Sequence, residues 1–244
     1  MGEDLMAIEF VGATNASTVG INVVAALPAG VQSGDVLVMV IRSWLSVRTS
    51  GPVYGVTDEG WTLRLINADR GSNNHLYVFT GIADRADPYT PVVYFGANGN
   101  HHVNLLAFRG VDQVNPVNAV AQAYSASGAN NITPSVITTV PDCMIVRAVA
   151  AGFSLSNGSC TWVNTVDELT DTRSSAGYSY ISTAASMSGP SPGPVGTATA
   201  TYSTAGYGIM ATIALAPRPT SRLHIGSTPV PLMLGSTELE ILGP

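Results

Sequence analysis

The adjacent pair His101-His102 is the first place in this sequence where side chains could do chemistry, since two imidazoles can share a metal ion. Their adjacency argues against it. Neighbouring side chains on a strand point to opposite faces, so the two rings cannot easily meet at one ion. His75 and His224 stand alone. Carboxylates are the next candidates. Asp58, Glu59, Asp69, Asp84 and Asp87 fall in Gly- and Pro-containing stretches, and Asp167, Glu168 and Asp171 follow Trp162. Two carboxylates flanking a sugar bond would make a glycosidase, but acids in such stretches serve first as turn formers. Cys143 and Cys160 are the only cysteines, without CxxC spacing, so neither zinc nor a disulfide framework is expected. Cys143 reads as a small hydrophobe in a strand and Cys160 as a residue beside a turn. No GxSxG, Walker A, HExxH or EF-hand pattern occurs. The expectation is no catalytic residue, no cofactor and no metal.

Aromatic rings remain. They stack on sugars, and they also fill sandwich cores. Trp61 and Trp162 occupy matching places of an internal repeat, which assigns both to the core. Trp44 falls in a less regular stretch, Arg42 to Gly60, and is the candidate for surface or glycan contact. A stretch this long outside regular structure is often functional.

The elements that must position these residues are strands. Gly34-Asp35 heads the run Val36-Leu37-Val38-Met39-Val40-Ile41, which is apolar at every position. A half-buried strand alternates, so this run is expected to be covered on both faces. The pattern returns at Pro141-Asp142-Cys143-Met144-Ile145-Val146. Further strands are expected at Ile8 to Val11, Val19 to Val24, Trp61 to Leu65, Leu76 to Thr80, Val92 to Phe95, Val103 to Phe108 and Val136 to Val140. Residues 113–134 read as a polar connection. The second half repeats the order of the first: Asp142 echoes Asp35, 107 residues on, and Trp162 echoes Trp61, 101 residues on. The strand at Gly177 to Ile181 echoes the one around Tyr77, and Ile209 to Leu215 matches Val103 to Phe108. About a dozen short strands between Gly, Pro, Asn and Ser turns, with almost no helical periodicity, predict an all-β fold. The expected form is a jelly-roll-like β-sandwich over 1–217, with similar halves at about 8–112 and 135–216.

Composition narrows the partners. Only 11% of the 244 residues are charged, and the net charge is −6. Phosphate binding needs a basic patch, so nucleic acid is not expected. The surface must draw its polarity from Ser, Thr, Asn and Gly. All ten basic residues are Arg, which fits a GC-rich genome and also suits interfaces, because the guanidinium is planar and weakly hydrated. No apolar stretch of about 18 residues offers a membrane-spanning helix. The acidic start Met1-Gly2-Glu3-Asp4 does not resemble a signal peptide, so synthesis in the cytoplasm is expected.

Pro217-Arg218-Pro219 marks the end of the sandwich. Residues 218–244 then carry a repeat of their own, with Gly226-Ser227-Thr228 and Gly235-Ser236-Thr237 offset by nine residues. Each triplet follows an apolar, strand-like run. A segment of about 25 residues cannot build a core alone. Leu223, Ile225, Val230, Leu232, Leu234 and Leu239 are therefore expected to dock this extended tail on its own sandwich or on another chain.

Three motifs stand in order: Gly34-Asp35-Val36-Leu37-Val38; Gly60-Trp61-Thr62-Leu63; and Ala107-Phe108-Arg109-Gly110-Val111-Asp112 with Asn115-Pro116-Val117. Together they resemble a jelly-roll-like family of phage virion proteins, described as minor tail or head-decoration proteins. The C-terminal repeat resembles one seen at the ends of tail proteins of phages of Gram-positive hosts. The resemblance implies a structural virion protein, made in the host cytoplasm and built into the particle, and it supplies no catalytic residue. It implies other virion proteins as partners and a homo-oligomer. The leading expectation is a minor tail protein near the tail tip that also contacts the host envelope, of an actinobacterial host if the absence of Lys reflects GC content. The first alternative is a capsid decoration protein. The alternative of another class is a carbohydrate-binding module for host cell-wall glycan, with Trp44 and residues 42–60 as its platform.

Overall fold

A computed structural model describes residues 6–45, 60–68, 74–83, 91–95, 98–126, 128–152, 159–163, 166–173, 179–203 and 206–219, with short stretches of 223–238. Every regular element among them is a strand. The first half forms β1 (Glu9–Thr18), β2 (Asn22–Val24), β3 (Val36–Leu45), β4 (Thr62–Ala68), β5 (Asn74–Ile82), β6 (Val92–Tyr94) and β7 (Gly99–Arg109). The second begins with β8 (Val117–Ser125), β9 (Asn130–Thr133), β10 (Ile137–Thr138), β11 (Met144–Gly152) and β12 (Cys160–Val163). It continues through β13 (Asp167–Arg173), β14 (Ser179–Met187), β15 (Gly193–Pro194), β16 (Ala198–Tyr202) and β17 (Tyr207–Leu215). The tail holds β18 (Leu223–Ile225), β19 (Thr228–Val230), β20 (Met233–Leu234) and β21 (Thr237–Glu238).

Two five-stranded antiparallel sheets dominate, in the orders β1-β7-β3-β5-β4 and β8-β17-β11-β14-β13. Ranked by chain order within its half, each sheet has the same sequence of strands. They stack in reverse, β1 over β13 and β4 over β8, with β7 against β14 and β5 against β17. An approximate two-fold axis through β3 and β11 relates them. The two sheets bury between them one shared core, including Val36, Val38, Val40, Leu106 and Phe108 from the first and Val146, Ala148, Ile181, Ile213 and Leu215 from the second.

Each sheet also carries a thinner layer on its outer face. In the first half β2 pairs with β6 and covers Leu37, Met39, Ile41, Leu105 and Ala107. In the second, β12-β16-β9 covers Val149, Ala151 and Met210, and the pair β10-β15 lies near Cys143, Ile145 and Ala214. This layering is the physical reason for the unbroken apolar runs. Val36 to Ile41 are at most 1% exposed, even-numbered side chains entering the shared core and odd-numbered ones the outer core.

All four edge strands of the two large sheets carry a β-bulge at matched positions: Val11 in β1, Asn118 in β8, Arg64 in β4 and Leu169 in β13. Bulges twist edges away from further pairing.

The structure corrects three sequence expectations. The polar connection 113–134 contains β8 and β9; past Val117, β8 packs only Ala119, Ala121 and Ala123 on the outer cores and leaves Val120 and Tyr124 exposed, so its apolar residues on the packed face are small and interspersed with polar ones. Trp44 belongs to β3, opposite Asn74 and Asn100, and not to an irregular loop; its strand runs past the apolar run because Arg42 and Ser43 find buried polar partners. The repeat is also out of register by one. Val36 lies opposite Ile82 and Phe108 as Met144 lies opposite Met187 and Leu215, so Asp142 corresponds to Gly34 and not to Asp35. Both residues have positive φ, 89° at Gly34 and 53° at Asp142, a region that Asp tolerates better than most side chains.

The exit from the body is bonded into it. Pro217 bridges to Val111, Arg218 N donates to Gly110 O at 2.8 Å, and Met6 N donates to Arg218 O at 2.9 Å. Beyond it β18 pairs with β19 and β20 with β21, both antiparallel.

Candidate functional site

The most polar part of the interior lies where the two large sheets meet. On β3, Arg42 follows Val40 on the face turned to the second half, and His102 of β7 stands beside it in register. Both are 0% exposed. The Arg42 guanidinium interacts electrostatically with Tyr207 at the start of β17. Burial draws its pKa down to about 10, against the pull of the Tyr207 hydroxyl. Gly152 lies opposite Tyr207, and a Cβ there would collide with the tyrosine ring and hydroxyl. Burial, and then the nearby Arg42 charge, lowers the His102 pKa to about 3, so its imidazole is neutral.

Two residues further along β7, Asn104 links the halves: its carboxamide oxygen accepts from the Thr172 hydroxyl and its Nδ2 donates to Thr170 O at 3.3 Å. From β1, Asn15 Nδ2 donates to Thr170 Oγ1 at 3.0 Å and to Asp171 O at 3.2 Å. The arrangement satisfies buried polar groups across an interface, and its chemistry is that of a joint. His101 points the other way, as adjacency on a strand requires. Its Nδ1 is 2.9 Å from Ser43 Oγ, and its ring stacks on Phe95 at 3.6 Å. The two imidazoles therefore face different layers.

A second cluster occupies the outer face of the second half. In a regular strand Glu168 and Asp171 would point to opposite faces. The bulge at Leu169 brings them to one face, opposite Ala184 and Ser182. Burial, followed by the Asp171 charge, raises the Glu168 pKa to about 7. Tyr180 Oη donates to Asp171 Oδ2, while Trp162 Nε1 donates to Ser182 Oγ at 2.6 Å. Beside this cluster, burial pushes the Cys160 thiol up to about 12, and Cys143 reaches about 11. Both are buried free thiols held in the unreactive protonated form. Cys160 opens β12.

Trp61 and Trp162 both pack on outer cores, as expected, but on non-equivalent elements: Trp61 precedes β4 and lies over Gly81, whereas Trp162 belongs to β12. Trp44 is at the end of β3, apart from both. Asp58, Glu59, Asp69, Asp84 and Asp87 lie outside the described residues, as do Leu232 and Leu239. Leu223 and Ile225 fall in β18, Val230 in β19 and Leu234 in β20. Sequence reasoning missed Arg42, Asn104, Thr172 and Tyr207. The available signal was a polar residue inside or just past an apolar run.

Residues of the first and third sequence motifs meet at one corner. Arg109 reaches Asp35, Gln113 Nε2 donates to Gly34 O at 3.0 Å, and Asp112 Oδ1 accepts from Val114 N and Asn115 N at 2.9 and 3.3 Å. Gly110 has φ 77°, and a Cβ there would strike the carbonyl of Ala7. These motifs build a structural corner. No protein-family model, curated protein or solved structure matches this chain.

Proposed function

We propose that this chain is a structural protein of a phage virion, a minor tail protein near the tail tip that assembles through protein contacts and touches the host envelope. The observation that carries the reading is the C-terminal segment. Past the bonded exit at Pro217 and Arg218, the chain forms two short hairpins whose sequence is rich in Leu, Ile and Val. So short a segment is not a domain, and its strands are suited to pairing with a neighbouring subunit by β-strand addition. The ordered motifs, the low charge and the Ser/Thr/Asn/Gly surface support the same reading. Its partners are other virion proteins and further copies of itself.

Immunogold electron microscopy of purified particles, with an antibody to the body, tests this. Label at the tail end is expected. Label over the head replaces the tail assignment with capsid decoration, and label on neither overturns both. Removing residues 220–244 is expected to leave a folded body that no longer enters particles. Normal incorporation of that truncated chain would overturn the docking role.

A further inference from the structure

We infer that the open edge of β12 receives the β18 strand from the tail of a second copy of this chain, by β-strand addition. The inference rests on the reading of the tail as a docking segment and names the surface on which it docks. The sheet β12-β16-β9 ends at β12, and among the described residues no strand pairs with its other edge. Tyr202 N donates to Ala129 O at 2.8 Å, away from β12, and Ser203 N donates to Ser159 O at 3.0 Å. The pairs therefore alternate: Thr161 and Val163 bond to β16, while the N–H and C=O of Cys160 and Trp162 face outward. Each edge strand of the two large sheets is interrupted by a bulge, but β12 keeps an unbroken register and carries neither a charged residue nor a proline. Thr161 and Val163 are its exposed side chains. Such an edge is a template for one more strand.

The tail supplies a strand that fits. Leu223, His224 and Ile225 of β18 lie opposite Val230, Pro229 and Thr228 of β19. Pro229 has no N–H, so His224–Pro229 is the pair without ladder bonds, and Leu223 and Ile225 hold the hairpin together. The N–H and C=O of His224 thus face away from β19, whereas β19 lacks an outward donor at Pro229. β18 is the strand that can add. Charge agrees: β12 lies against β13, which bears Glu168 and Asp171, and the tail carries Arg222 and His224 with no acid from 220 to 237.

The partner is a second copy because the tail cannot reach its own β12. Arg218 is held by Gly110 and Met6, where β7 ends and β1 is about to begin in the first large sheet. Trp162 bonds to Ser182, which lies opposite Val149, itself opposite Met210. The site is therefore about 17 Å along β17 from Leu215 at the exit end, and two sheet spacings, about 20 Å, from the first sheet. The straight line is about 26 Å, whereas the chain from Arg218 to His224 spans at most about 21 Å.

The test is sedimentation velocity of the full chain at rising concentration. Wild type is expected to self-associate. His224→Pro removes the outward donor of β18, and the double change Thr161→Lys with Val163→Lys puts two cations on the receiving edge. Each is expected to give monomer at the wild-type unfolding midpoint, since one lies in the tail and the other on exposed positions. His224→Ala keeps the donor and stays associated. A wild type that is monomeric throughout overturns the proposal, and leaves the virion reading standing if the chain still enters particles through its tail. Association that survives the double lysine change but not His224→Pro puts the tail on another surface of the copy and overturns the β12 site. Association that survives His224→Pro overturns the role of β18.

Discussion

Arg109 holds Asp35 with two arms, Nε to Oδ1 at 3.0 Å and Nη2 to Oδ2 at 2.9 Å, which fastens the end of β7 to the turn that starts β3. The same carboxylate accepts Gln32 N at 2.8 Å, and Nη2 also reaches Gly30 O at 3.1 Å. The second half has no equivalent, since Cys143 stands where Asp35 does. Asp35→Ala is expected to lower the unfolding midpoint by several degrees, because it strips the Gln32 amide and the guanidinium of a shared acceptor. A double-mutant cycle with Arg109→Ala should return a coupling clearly above zero, since the fork is bidentate. Additive losses would show the contact to be incidental.

Gly110→Ala should be more damaging than its size suggests. The residue holds φ 77° and faces the Ala7 carbonyl. Neither the backbone region nor the space accepts a methyl group, so a loss above about 1 kcal/mol is expected in urea unfolding. A change within error would mean the corner relaxes freely.

Coverage of both faces makes neighbouring core substitutions equally costly. Leu106→Ala opens the shared core and Leu105→Ala the outer core of the first half. Each is expected to cost about 2–5 kcal/mol by chemical denaturation. A cheap Leu105→Ala would contradict the outer layer.

The Glu168–Asp171 pair predicts a pH dependence with a definite sign. The folded form holds the Glu168 proton up to about pH 7, above the ordinary value of 4.5. Between those values the folded chain binds more protons than the unfolded one, so stability falls as pH rises from 4.5 to about 7 and then levels off. Glu168 is largely open to solvent, so screening makes the effect small. Glu168→Gln should flatten this part of a midpoint-against-pH curve followed by circular dichroism. A variant curve parallel to wild type would remove Glu168 as the source of the dependence.

The exit clamp predicts where the body ends. A chain stopped after Pro219 keeps the Pro217 bridge and both Arg218 backbone bonds, and should unfold at the wild-type midpoint. Stopping after Leu215 removes them, along with the bonds of Ala216 to Asp112 and Pro116, and should lower the midpoint measurably. Equal midpoints would show the exit to be a mere linker.

Much of the architecture was readable from residue order. The unbroken apolar run Val36 to Ile41 implied cover on both faces, and the same run at Met144 implied a second copy of the arrangement. Burial follows from hydrophobicity at successive positions, a local property of the chain. His101 and His102 were separable for an equally local reason, the alternation of side chains along a strand. Trp61 and Trp162 were correctly assigned to cores, although the match between them was not one of equivalent strands.

What tertiary structure alone decided depends on contacts between distant residues. The bulge at Leu169 turns Glu168 onto the face of Asp171, and nothing in Asp-Glu-Leu-Thr-Asp announces it, because a bulge is defined by the partner strand. The seam of Arg42, His102, Asn104 and Thr172 exists because two sheets stack in reverse order, which no single strand encodes. Arg147 looks like an interruption in an apolar run until the outer layer closes over it and leaves two of its donors unpaired. Sequence by itself determined the all-β class and the deeply buried strands such as Val36 to Ile41; the stacking of layers decided that the more polar β8 and β9 join as strands and which buried polar groups meet, since desolvation and hydrogen bonding act between neighbours in space.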